Sequence, residues 1–137
     1  MLRNALSAAL FVALTGCGGK VASTSREAAS KAYHQGFAEF EQRNYQSALN
    51  SLTMAIDAGW LNPDLAVDAL AKRAVANAAL GNFDGANADL ERMKNAPDQA
   101  LFWAANAFVL TKRGKTSEAA AALRQAKQLN PTLQPFK

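Results

Sequence analysis

The chain has 137 residues, with fifteen basic against eleven acidic side chains, one histidine and one cysteine. A single cysteine excludes an intramolecular disulfide, and a formal net charge of +4 spread along the chain is too small to argue for a nucleic-acid partner. His34 has no second histidine or nearby cysteine to complete a metal or cofactor set, and no carboxylate pair stands apart for acid–base work, so the chain reads as a non-enzyme.

The first sixteen residues have the three parts of an export signal: Arg3 near the start, an apolar run from Ala5 to Leu14, and small residues at the exit. That run is too short to span a bilayer, which takes about 20 apolar residues. Leu14-Thr15-Gly16-Cys17 then resembles the bacterial lipoprotein signal, or lipobox. The resemblance implies cleavage just before Cys17, lipid on its sulfur, and anchorage to a bacterial membrane by acyl chains. Gly18 stands where that family's inner-membrane retention signal has Asp, which implies the periplasmic side of the outer membrane where a cell has two membranes. The competing readings are a signal cut near Gly16 that leaves Cys17 a free thiol, and an uncleaved anchor.

Without the signal, 121 residues remain, one domain of ordinary size. Residues 17–24 read as the lipidated cysteine and a short tether, small and polar from Gly18 to Ser23. Thr24 and Glu27 have the spacing of a capping box, which predicts a folded domain from residue 25 to 137. Helices are expected at about 25–42, 45–58, 64–80, 84–95, 98–112 and 116–129. Alanine is abundant throughout and no alternating apolar segment competes. Gly59 suits the position beyond a helix end, Asn62-Pro63-Asp64 reads as cap, first-turn proline and dipole-matching acid, and Asn130-Pro131 stops the sixth helix.

An internal repeat organises these helices. Gly36, Ala48 and Ala55 are separated by twelve and seven residues; Ala74, Ala86 and Met93 share those gaps, as do Ala107, Ala119 and Ala126. The set shifts by 38 residues and then by 33. Small residues at such positions let two helices cross closely. The spacing resembles the tetratricopeptide repeat, a helix-turn-helix unit of about 34 residues, over units of about 29–62, 67–97 and 100–131. The third unit carries the most family positions, among them Trp103, Ala107, Gly114, Ala119, Ala126 and Pro131; in the first, Arg43 occupies the turn-glycine place. The implied fold is all-α, three repeats in a short right-handed superhelix.

A groove lined by the first helix of each unit follows from the resemblance. Its implied partner-binding residues are Tyr33, Phe37, Lys72, Val75, Phe108 and Lys112. Phe40 lies on the same stripe and is expected in the core, as is Trp103 at a family packing position, while Trp60 is expected to cover the longer connection. Leu133 and Phe136 are expected to fold back over the last helix, whose edge otherwise offers a dimer contact. The function these features imply is a membrane-anchored scaffold or assembly adaptor that receives a peptide segment or helix of a protein partner, without cofactor or metal. The competing class is a self-associating structural lipoprotein that uses helix edges.

Overall fold

The computed structural model describes residues 18–137, so Cys17 and the export signal lie outside the described residues. Six helices follow one another: α1 Gly18–Glu41, α2 Tyr45–Asp57, α3 Pro63–Ala79, α4 Phe83–Met93, α5 Gln99–Lys112 and α6 Thr116–Leu129. Among the described residues there is no strand, so the all-α class is correct. Five helices begin and end within about two residues of expectation. α1 departs from it, beginning at Gly18 and extending through the expected tether, which leaves residue 24 inside the helix instead of at its start. Nothing from Gly18 to Ser25 is a proline, and Lys20 and Ala22 favour helix, so the chain winds on without a stop.

Helix ends follow from local chemistry. Asn62, Asn82 and Asp98 each accept a hydrogen bond from the amide three residues on, at 2.9, 3.1 and 2.9 Å, closing the starts of α3, α4 and α5. The far ends of α1, α3 and α5 share one device. Arg43, Gly81 and Gly114 all have positive φ, 59°, 80° and 76°. The next amide in each case, that of Asn44, Asn82 or Lys115, donates back to Glu39, Asn77 or Leu110 across five residues. This is the Schellman geometry, which normally calls for glycine. These three positions differ by 38 and 33 residues, the shift of the sequence repeat.

The helices pack in order, α1 on α2, α3 on α4 and α5 on α6, with α3 also touching α1, α2 and α5, and α4 touching α5. All nine repeat positions, from Gly36 to Ala126, are buried. Gly36 marks a close approach of α1 to α2: a Cβ there would lie 2.8 Å from Leu52 Cγ and 3.0 Å from the Leu52 amide nitrogen. The main core runs through α1 to α5, with Leu52, Val75, Met93 and Val109 fully enclosed. α6 adds only Ala119, Ala122 and Ala126 to the interior. Trp103 is half-buried outside the main core, edge-on to Phe102 at 5.1 Å. Trp60 stays 42% exposed beside Arg26 and Leu65.

Candidate functional site

α1, α3 and α5 touch in sequence, and their shared face carries a cluster of aromatic and charged side chains. It begins with Asp68 on α3, whose carboxylate accepts from the Tyr33 hydroxyl and from the Lys72 ammonium, both at 2.6 Å. The second bond spans one helical turn, the i,i+4 spacing that brings opposite charges together. Held there, the Lys72 nitrogen sits 4.8 Å above the Phe37 ring centre and 5.9 Å from that of Phe40. Such contacts strengthen as the cation loses water, and Lys72 is only 7% exposed. Burial, above all, pushes the Tyr33 hydroxyl well above the ordinary tyrosine range, and the Asp68 carboxylate beside it adds to the shift.

A second group lies at the end of α5. Phe108 is buried and Lys112, exposed one turn on, holds its ammonium 5.3 Å from the Phe108 ring centre. The C-terminal tail connects the two groups. Phe136 meets Phe40 edge-to-face at 6.0 Å and an angle of 86°. Phe136 also flanks two hollows, one of about 320 Å³ beside Phe40, Arg43 and Lys72, the other of about 410 Å³ beside Phe108 and Lys112. The tail therefore lies on the α1–α3–α5 face.

The expected binding residues divide accordingly. Tyr33, Phe37 and Lys72 come together around Asp68, and Phe108 and Lys112 pair with each other. Val75 must be withdrawn: it is fully buried. α3 has neighbours on both sides and buries nine of its seventeen residues, so the apolar position three beyond Lys72 turns into the core. Tyr33, Lys72 and Phe108 must also be withdrawn as contact surface in the free chain, because all three are buried and the Tyr33 hydroxyl and Lys72 ammonium are committed to Asp68. Of the aromatic residues on this face, Phe37 alone is substantially open, at 39%. Phe136 reaches α1 instead of lying over α6 alone, because Phe40 and Phe108 offer it aromatic and apolar surface that the alanines of α6 cannot.

Two features were not anticipated from the sequence. Asp68 is the hub of the α1–α3 cluster, signalled only by its spacing from Lys72. Arg73 faces away from that cluster and joins three helices: Nε and one terminal nitrogen bind Asp89 on α4, and the other donates to Thr53 on α2 at 3.1 Å. Hydrogen bonding to Asp89 pushes the Arg73 pKa further up. Of the Lys72-Arg73 pair, both members are thus bound within the fold.

No protein-family model, curated protein or solved structure matches this chain. Among the described residues no helix is long and apolar enough to cross a membrane, and no group of three or more histidines, cysteines or carboxylates could hold a metal ion.

Proposed function

We propose that the chain is a membrane-anchored adaptor of the tetratricopeptide type, held by lipid on Cys17 in a bacterial envelope and binding a segment of another protein on its α1–α3–α5 face. The observation that carries this reading is the Phe136–Phe40 contact, in which a non-helical stretch of chain lies against that face with an aromatic side chain as its anchor. Regularly placed buried small residues and the three matching turns support the repeat class. The face carries recognition groups, cationic and aromatic, and a preformed surface of that kind suits peptide capture. Anchorage to a membrane raises the local concentration of anything captured there.

A photo-crosslinking residue tests the face directly. Placed at Phe37, it should capture an envelope protein in the native cell; placed at Met54 on α2, which is more open at 67% exposed, it should not. Capture from Met54 alone would overturn the assignment. Cys17→Ala should release the chain from membranes, and unchanged membrane partition would overturn the lipid anchor.

The second reading, self-association through helix edges, draws on Leu129, 51% exposed at the end of α6, a helix whose one helical neighbour among the described residues is α5. Sedimentation distinguishes it: a monomer over a broad concentration range removes it.

A further inference from the structure

The tail is held on the α1–α3–α5 face by its side chains. Among the described residues, its hydrogen bonds stay local: the Leu133 amide donates to Asn130, Thr132 donates to Asn130, and Gln134 donates to the Thr132 carbonyl. Residues 134–137 have no hydrogen bond to any helix among those described. What holds them is Phe136 against Phe40 and the lining that Pro135 and Phe136 share with Phe108 and Ala107. A segment fixed by one aromatic anchor and no backbone ladder exchanges readily.

The charges around this occupant are poorly matched to it. Lys137 lines both hollows, beside Arg43 and Lys72 in one and beside Lys112 in the other. Lys72 already has Asp68 as its partner, and among the described residues Arg43 and Lys112 make no ion pair. Glu41 is the single acidic residue lining either hollow. The tail thus supplies the aromatic side chain that fits but no acidic side chain to meet Arg43 or Lys112.

Resting on the binding role proposed for this face, we infer that residues 134–137 are a built-in, displaceable occupant, and that the partner which displaces them is an extended segment carrying an aromatic residue beside acidic ones. The aromatic residue replaces Phe136 against Phe40, and the acidic neighbour meets Arg43 and Lys112 where Lys137 now stands. In the free protein the tail shields the face, and a partner with the right charge removes it.

The test uses the full chain and two fluorescent peptides, one with the sequence Leu133–Lys137 and one with Lys137→Glu in it, followed by anisotropy. Phe136→Ser in the protein should raise the affinity for the acidic peptide by about tenfold, because an attached competitor is lost. The acidic peptide should bind several-fold tighter than the basic one, with the difference shrinking as salt rises. Lys137→Glu in the protein should act oppositely and weaken peptide binding, since its own tail then fits better. Equal peptide affinity for the wild-type and Phe136→Ser chains would overturn the tail as occupant, and equal affinity for the two peptides would overturn the acidic partner. Should Phe136→Ser prevent folding, Lys137→Glu decides: weaker binding supports the inference, and unchanged or tighter binding overturns it. Failure of both peptides to bind any variant would overturn instead the binding role of the face.

Discussion

Arg73 grips Asp89 through two parallel hydrogen bonds, 2.9 and 2.6 Å, joining α3 to α4 beneath a surface that leaves the Asp89 side chain 3% exposed. The fork geometry of guanidinium and carboxylate satisfies both groups, and Thr53 takes a further guanidinium N–H. Removing one partner strands the other. Asp89→Ala should lower the unfolding free energy by about 3–5 kcal/mol, the usual cost of an uncompensated buried charge. Arg73→Ala should cost a similar amount. Replacing both with alanine should cost less than the sum of the two, which urea denaturation of the three variants would reveal.

Tyr33 makes stability depend on alkaline pH. Its pKa is raised in the folded chain, first by burial and then by the Asp68 hydrogen bond and charge. Between the ordinary tyrosine value of about 10 and the higher folded value, the unfolded chain loses the Tyr33 proton while the folded chain keeps it. Its contribution is complete below about pH 10 and is lost as pH rises towards the folded pKa. Tyr33→Phe should therefore flatten the fall of stability above that point, while losing about 1 kcal/mol at neutral pH as Asp68 gives up a hydrogen bond. Denaturant midpoints at pH 8 and pH 10.5 would decide it; an identical alkaline slope in both proteins contradicts the assignment.

Most of the architecture was legible because small residues and turn residues are local signals with one physical meaning. Asn62-Pro63 starts a helix, Gly81 and Gly114 end one, and the twelve-and-seven spacing locates where helices cross. Two other matters depend on neighbours distant in sequence. Val75 and Lys72 are both on α3 one turn apart, yet the first is core and the second reaches Phe37, because α5 and α1 cover different sides of that helix. Phe136 is an apolar residue in a polar tail, which shows that it should be covered but not by what. The start of α1 eluded the sequence for a simpler reason: a capping pair three residues apart also occurs inside helices.

Gly36 is the residue on which the α1–α2 crossing depends. An added methyl would meet both the Leu52 side chain and its backbone nitrogen, at 2.8 and 3.0 Å, so rotation of one side chain cannot relieve it. Alanine is the better helix former by up to about 1 kcal/mol, but overpacking costs about 1–3 kcal/mol. Gly36→Ala should therefore be destabilising by about 1–2 kcal/mol net, with helix content unchanged by circular dichroism. A gain in stability would show that the two helices are free to separate.

Arg43 invites the opposite experiment. Gly81 and Gly114 fill the left-handed position at the ends of α3 and α5, whereas α1 places arginine there with φ 59°. For a residue with a Cβ this conformation costs about 1–2 kcal/mol. The Arg43 side chain is exposed and makes no ion pair among the described residues, so little contact offsets that strain. Glycine frees the turn but also loosens the unfolded chain, which takes back part of the gain. Arg43→Gly should raise stability by about 0.5–1 kcal/mol, while Gly81→Ala and Gly114→Ala should lower it by about 1 kcal/mol each, an opposition of sign that follows from one backbone geometry. The same substitution removes a cation that lines the hollow beside Lys137, so Arg43→Gly should also weaken capture of an acidic peptide while strengthening the fold. Thermal melting and peptide anisotropy on the same sample separate the two effects, and parallel changes in both would contradict the roles assigned to this residue.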